Sequence, residues 1–356
     1  MIFNTKTNSL CSGGVMSLTS HLVDTHSPIG QFFRHRFAQT ASVTRQINPQ
    51  LRQISPLLPA AHPWPYSHIG MAIDYRIRYS FALTPSHNLV AWHGAWKLLR
   101  SVDRVKMNGY LQQRAGYTAG PIENDEDAPT VRSEYSLDVI YRFFCSLDAL
   151  LERVQPAGRS LQAEEERELC RYCFLLGLLE EPFRSSRYKD GPLMVPAPKR
   201  TLEELLAIPL DPWIEDLCAL SRCFYDHYAH LLSSPHVLNP TFAGSRLVGG
   251  ADADMIVDGC LIDMKTTKQS SIEPNWLRQI AGYLLLDYRD RYRIQEVGLY
   301  LVRHGLLLRW PAEYYVQQLT GDSSISVATL RQEFLAFISR MRTRTEQTQH
   351  GEKGRT

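Results

Sequence analysis

The chain has 356 residues, enough for one elaborated domain or for two, and 44% of them are hydrophobic, which suits a sizeable globular core. Its formal net charge of +2 neither requires nor excludes a nucleic-acid partner, because a local basic groove does not show in a sum. Seven cysteines without a regular spacing favour reduced thiols in a cytoplasmic protein, and no apolar run is long enough for a signal peptide or a membrane span.

The first part of the chain, residues 1–66, combines a short helical pattern with a proline-rich irregular stretch. A stronger pattern follows, because apolar residues recur every four positions and predict a helix over residues 67–82 with one buried stripe. The residues of this stripe are Ile69, Ile73, Ile77 and Phe81.

Nearly all of residues 83–235 have helical periodicity. The pattern changes at the start of residues 236–344, where short strand patterns alternate with helices, as is typical of an α/β unit. The last residues, 345–356, are polar and charged, so we expect a disordered tail there.

The most informative segment, residues 250–267, predicts two short strands joined by a turn at Asp258-Gly259. On the second strand the side chains alternate, so Asp263 and Lys265 project from the same face. A hairpin also brings Asp254, on the preceding strand, beside Asp263. Two carboxylates and one lysine would then converge, which favours a Mg²⁺ site whose lysine acts on a water or a phosphate.

The helix predicted after this hairpin adds two polar residues, because Gln279 and Tyr283 are four positions apart and share one helix face. Together with Asp254 and the sequence Asp263-Met-Lys265, they resemble the motifs of the PD-(D/E)XK nuclease superfamily, in particular its RecB-like branch. The resemblance implies an α/β fold, a restriction-endonuclease-like core with a central mixed sheet flanked by helices and a large helical insertion.

RecB-like members also have an early helix that carries a glycine and, four residues later, a metal-binding histidine. Gly70 and Asp74 match this spacing with an aspartate in the histidine position, and a carboxylate suits a hard metal ion. The alternative is that Asp74 simply pairs with Arg78, four residues later on the same helix. If Asp74 belongs to the site, residues 83–235 are an insertion within the nuclease core rather than a domain that precedes it.

The resemblance also implies the cofactor. Asp254 and Asp263 would hold one or two Mg²⁺ ions, helped by the backbone carbonyl of Met264 and by Asp74, and we expect Mn²⁺ to substitute for Mg²⁺. Some relatives carry an iron–sulphur cluster on one early and three late cysteines. We expect no such cluster here, because no cysteine follows Cys260.

The remaining residues of the motif have roles in the proposed reaction. Lys265 would position the attacking water or help to deprotonate it, and would stabilise the phosphate. Gln279 and Tyr283 would orient the lysine, the water or the nucleic-acid backbone. Gly249-Gly250 would let a phosphodiester approach the main chain closely. Further candidate phosphate contacts, without a motif behind them, are Arg246, Lys268 and Arg278.

These features predict a cytoplasmic, Mg²⁺-dependent nuclease that hydrolyses phosphodiester bonds, with DNA favoured over RNA as its partner. The resemblance alone suggests a role in prokaryotic defence or DNA repair. Two alternatives stay open: a catalytically inactive nucleic-acid-binding or interaction module with the same fold, and an RNA-processing nuclease. The helical insertion could bind a partner protein, and we expect no membrane partner.

Overall fold

The computed structural model describes residues 17–59, 66–84, 89–99, 103, 135–184, 187–195 and 198–353, with side chains up to Met341. Parts of the predicted N-terminal segment, insertion and tail lie outside these ranges. Within them the fold is α/β, because one mixed sheet of five strands is flanked by helices. Among the described residues, no helix is both long enough and apolar enough to span a membrane.

The sheet has the strand order β1-β2-β3-β4-β5. All neighbouring strands are antiparallel except β3 and β4, which are parallel and are joined through a helix. The predicted turn joins β2 to β3, and its two residues have the positive φ angles that a tight hairpin requires, 49° at Asp258 and 72° at Gly259. The strands are β1 His236–Leu238, β2 Met255–Val257, β3 Cys260–Lys265, β4 Glu296–Leu301 and β5 Leu306–Pro311.

Helices cover both faces of this sheet. Three lie near the N-terminus: α1 Leu18–Val23, α2 Pro28–Arg36 and α3 Thr40–Leu51. The next six are α4 Tyr66–Phe81, α5 Val90–Leu98, α6 Leu137–Arg153, α7 Ala163–Arg184, α8 Leu202–Leu206 and α9 Asp211–Tyr228. The last three, which follow strands of the sheet, are α10 Pro274–Leu286, α11 Ala312–Thr320 and α12 Val327–Lys353.

Two hydrophobic cores lie on opposite faces of the sheet. The alternation along β3 separates them, because Ile262 belongs to the core shared with α4 to α9, whereas Leu261 belongs to the core shared with α1 to α3 and α10 to α12. Asp263 and Lys265 project toward α10, and Met264 packs on the opposite side. The sheet is therefore the middle layer of three, and the helical insertion forms one whole outer layer.

The C-terminal segment differs from the expectation of a disordered tail. Helix α12 continues through residue 353, so most of residues 345–356 are helical, and residues 354–356 lie outside the described part. Its polar residues include arginine, glutamate and glutamine, which have good helix propensity, so a polar composition did not exclude a helix here.

A buried ion pair fastens the insertion to the sheet. Arg303, just after β4, is fully buried and donates to both carboxylate oxygens of Asp216 on α9, at 2.9 and 2.6 Å. The Arg303 guanidinium also donates to the Leu57 carbonyl at 3.1 Å, so the same side chain holds the segment that follows α3. Each of the two charged groups needs the other, because both are buried and water cannot take the place of a lost partner.

We expect the variant Asp216→Ala to lose about 3–5 kcal/mol of unfolding free energy, because it leaves a buried guanidinium without its carboxylate. The double variant Asp216→Leu, Arg303→Met should lose much less. The control Asp138→Ala removes the exposed partner of Arg142 and should leave stability nearly unchanged. Urea unfolding followed by circular dichroism measures all three, and equal losses in the single and double variants would contradict this interpretation.

Candidate active site

Two carboxylates face each other at the end of the β2–β3 hairpin. The register pairs Met255 with Ile262, so Asp254, one residue before β2, lies opposite Asp263. The Asp254 carboxylate accepts a hydrogen bond from the backbone N–H of Met264 at 2.5 Å. The hairpin therefore sets the two aspartates on the same face of the sheet, as the sequence predicts.

Lys265 links this pair of carboxylates to helix α10. Its Nζ lies 2.7 Å from an oxygen of Asp263 and donates to Oε1 of Gln279 at 3.1 Å. With Oε1 of Gln279 bound to the lysine, the amide Nε2 of Gln279 points away from Lys265 and donates to the hydroxyl of Tyr283 at 2.6 Å. The four side chains form one continuous chain of polar contacts between β3 and α10.

Helix α4 brings a third carboxylate to the same place. A Cβ on Gly70 would lie 3.8 Å from the Cβ of Thr266, so α4 passes directly beside the residues that follow β3. One turn later, Asp74 accepts a hydrogen bond from Arg78 through Oδ2, while its Oδ1 is buried and has no hydrogen-bond donor among the described residues. The negative charge of Asp74 is close enough to raise the pKa of Asp254.

Burial dominates the electrostatics of the site, and neighbouring negative charges add to its effect at Asp254. Burial raises the pKa of Asp254 well above its usual value, and the charges of Asp263 and Asp74 reinforce this against the opposing effect of Lys265. Burial likewise raises the pKa of Asp263, with Lys265 opposing it, and raises the pKa of Asp74 to about 6, with Arg78 opposing it. Ionising all three carboxylates therefore needs additional positive charge.

Lys265 remains the cationic member of the site. Burial alone would lower the pKa of its ammonium group, but the neighbouring charges of Asp263 and Asp254 outweigh burial, and the pKa is raised. The lysine is therefore held protonated and hydrogen-bonded, with its side chain 21% exposed toward the open side of the site.

The donor types at the site are those that a hard divalent ion prefers. Asp254 lies opposite Asp263, and the buried Oδ1 of Asp74 lacks a donor that would compensate it, although the oxygens of the three carboxylates do not all lie within 4.8 Å of one another. Oxygen ligands of this kind suit Mg²⁺ or Mn²⁺. Met264, the fourth predicted ligand, lies beside them because its N–H binds Asp254.

The insertion contributes residues to this site that the sequence patterns missed. Glu180, near the end of α7, accepts hydrogen bonds from the Tyr75 hydroxyl and from Arg184. Arg184 also donates at 3.2 Å to Asp252, two residues before Asp254. The sequence shows only that Glu180 and Arg184 have the i, i+4 spacing of helix neighbours. No local pattern indicates that Arg184 contacts Asp252, 68 positions later.

The candidate phosphate contacts lie in different surroundings. Arg246 is exposed in a short 3-10 helix, and Lys268 is exposed with its Nζ 4.8 Å from the centre of the Tyr66 ring. Arg278 is half-buried, and burial together with the charge of Arg34 lowers its pKa. None of the contacts in the described residues joins these three to the carboxylates.

Among the described residues, one group of three potential metal ligands has its atoms all within 4.8 Å of one another, and it lies inside the insertion. The group consists of Glu166, Cys170 and Cys218. However, the Arg76 guanidinium donates to both oxygens of Glu166, at 2.9 and 2.5 Å. This ion pair already compensates the carboxylate, so the group is well explained as packing between α4, α7 and α9.

Comparisons with family models, with curated protein sequences and with solved structures gave no match.

We expect Asp254→Asn to make the protein more stable in alkaline buffer without divalent ions, because it removes one of the crowded charges and keeps an oxygen for the Met264 N–H. The folded-state pKa of Asp254 is raised, so stability present in acid is lost as the pH rises through that pKa. The gain should therefore shrink as the pH falls toward the usual aspartate pKa of about 4.

Thermal unfolding over a pH series measures this difference. In the same experiment, Mn²⁺ should raise the melting temperature of the wild type and have little effect on Asp254→Asn, because a ligand stabilises only the form that binds it. A variant that is less stable than the wild type at every pH would contradict the crowding of charges.

Proposed function

We propose that this protein is a metal-dependent nuclease of the PD-(D/E)XK type that hydrolyses phosphodiester bonds, with DNA as the favoured substrate. The observation that carries the proposal is the placement of Asp254 opposite Asp263, with Lys265 2.7 Å from Asp263 and with Asp74 close enough for its charge to raise the pKa of Asp254. Their positions in the chain are far apart, and the arrangement leaves negative charge that only a cation or protons can balance.

The topology is consistent with this proposal. The part of the chain that forms the site runs from α4 through β1, β2 and β3 to α10 and β4. The resemblance implies a central mixed sheet flanked by helices, and these elements form such a sheet with a helix on each side. We therefore propose the restriction-endonuclease-like core for these elements, with α5 to α9 as the insertion.

Mg²⁺ would be held by Asp74, Asp254 and Asp263 with the Met264 carbonyl. When bound, Mg²⁺ supplies charge that polarises the phosphate and lowers the pKa of a water molecule. The oxygens of the three carboxylates do not all lie within 4.8 Å of one another, so binding would draw them closer together.

Lys265 supplies the positive charge that would contact the phosphate of the substrate. The ammonium group is held between Asp263 and Gln279, so it presents its remaining N–H to the open side, where it hydrogen-bonds the attacking water or a phosphate oxygen. Gln279 restricts the rotation of the lysine, and Tyr283 fixes the amide orientation of Gln279. The two residues on α10 are thus positioning residues for Lys265.

The direct test is a cleavage assay on single-stranded, duplex and circular DNA and on RNA, with Mg²⁺ and with EDTA. We expect Mg²⁺-dependent cutting of DNA, and a loss of about 10²–10⁴-fold for Lys265→Ala. Lys189→Ala, which removes an exposed lysine elsewhere, is the matched control and should cut like the wild type.

The other outcomes of the cleavage assay distinguish between the alternative functions. Equal cutting by Lys265→Ala and the wild type would refute the proposed site. A folded wild type that cuts nothing but binds nucleic acid would favour the inactive binding module, and cutting of RNA alone would favour the RNA-processing nuclease.

A second variant tests the positioning role of α10. Tyr283→Phe removes the acceptor for the Gln279 amide and leaves the ring, so we expect a loss of about 10–100-fold, smaller than that of Lys265→Ala. The loss should be in kcat, with little change in KM, because Tyr283 acts through Gln279 rather than on the substrate. Unchanged kcat would show that this hydrogen bond has no part in the reaction.

A further inference from the structure

Helices α5 and α7 pack more closely than most helix pairs. A Cβ on Gly94 would lie 1.8 Å from the Leu179 carbonyl oxygen, so only glycine allows this approach. The contact fixes α5 beside the last turns of α7. It therefore sets the exposed side chains of α5 next to Phe183 and Arg184.

These side chains form an exposed aromatic and basic surface, the α5/α7 patch, defined by His93, Lys97, Phe183 and Arg184. The Phe183 side chain is 49% exposed at the end of a well-packed helix. The His93 ring centre lies 5.7 Å from the Phe183 ring centre, and the Nζ of Lys97 lies 5.4 Å from it. A single exposed apolar residue is ordinary, but Phe183 lies beside a second aromatic ring and the ammonium group of Lys97, and this combination suits a stacked base with its phosphate.

The patch adjoins the candidate active site. Arg184 donates to Asp252, two residues before Asp254, and to Glu180 on its own helix. Its positive charge also lowers the pKa of Asp74, so the guanidinium is close to the carboxylates. The side chain of Arg184 is 47% exposed, so its guanidinium can also be reached from solvent while it binds Glu180 and Asp252.

We propose that the α5/α7 patch binds a single-stranded segment of the nucleic acid, with one unpaired base stacked on Phe183 and the adjacent phosphates against Lys97 and Arg184. Only an unpaired base offers its face to a side chain, since bases in a duplex are stacked on each other. The proposal rests on the proposed function, because it takes the scissile strand to lie at the neighbouring carboxylates. It makes the helical insertion part of the substrate-binding surface.

The test measures binding and does not need cleavage. Fluorescence anisotropy in EDTA compares a labelled single-stranded DNA oligonucleotide with the duplex of the same sequence. We expect the wild type to prefer the single strand, and Phe183→Ala to weaken single-strand binding about tenfold while changing duplex binding little. Phe183→Trp should retain the affinity, because it keeps an aromatic face.

Two further variants separate stacking from charge and from general surface effects. Lys97→Ala should weaken binding and reduce the slope of log K against log salt concentration by about 0.7, the value for one phosphate contact on a single strand. Tyr314→Ala removes an aromatic side chain that is 50% exposed on α11, and it should bind like the wild type.

Equal single-strand affinity for Phe183→Ala and the wild type would overturn the proposal, as would an equal loss on single strand and duplex. Either result leaves the Lys265-dependent cleavage standing. If instead the wild type binds no nucleic acid and cuts none, the proposed function itself fails and the patch proposal falls with it. The two failures are therefore distinguishable.

Discussion

The crowding of three carboxylates at the end of β3 is the constraint on which the site depends. The hairpin register sets Asp254 against Asp263, and α4 adds Asp74 from the other side. Lys265 and Arg78 offset part of this charge, yet the pKa values of all three carboxyl groups remain raised. Such an arrangement is costly for the folded protein, and a bound divalent ion is the simplest feature that would make it favourable.

The helical insertion takes part in this arrangement. The Tyr75 hydroxyl and Arg184 both bind Glu180, so α7 supports α4 beneath Asp74 and also reaches Asp252. At the opposite end, the buried pair of Arg303 and Asp216 fastens α9 to the sheet. The insertion is therefore tied to the rest of the fold by two separate sets of polar contacts, and those around Glu180 and Arg184 are the ones that adjoin the carboxylates.

The sequence predicted the parts of the site that depend on local geometry. The turn at Asp258-Gly259, the alternation of Asp263 and Lys265, and the helix spacing of Gln279 and Tyr283 follow from periods of two and of about 3.6 residues. The α/β class was also predictable from the change in pattern near residue 236. These features need no knowledge of what packs against them.

Other parts could not be predicted, because they depend on packing between distant elements. The approach of Arg184 to Asp252 requires α7 to lie against the loop before β2, and no local spacing encodes this. We did not predict the helical continuation of α12, because a polar composition suggested disorder although the individual residues have good helix propensity. The position of Asp74 was expected from a family resemblance rather than from any pattern in the residues themselves.

Isothermal titration calorimetry with Mn²⁺ tests the metal site without a substrate or turnover. We expect Asp74→Ala to weaken Mn²⁺ binding at least about tenfold, as Asp263→Ala does, whereas Asp252→Ala should bind Mn²⁺ nearly as well as the wild type. If Asp74→Ala binds Mn²⁺ with wild-type affinity, α4 does not supply a ligand and the assembled centre proposed here is wrong.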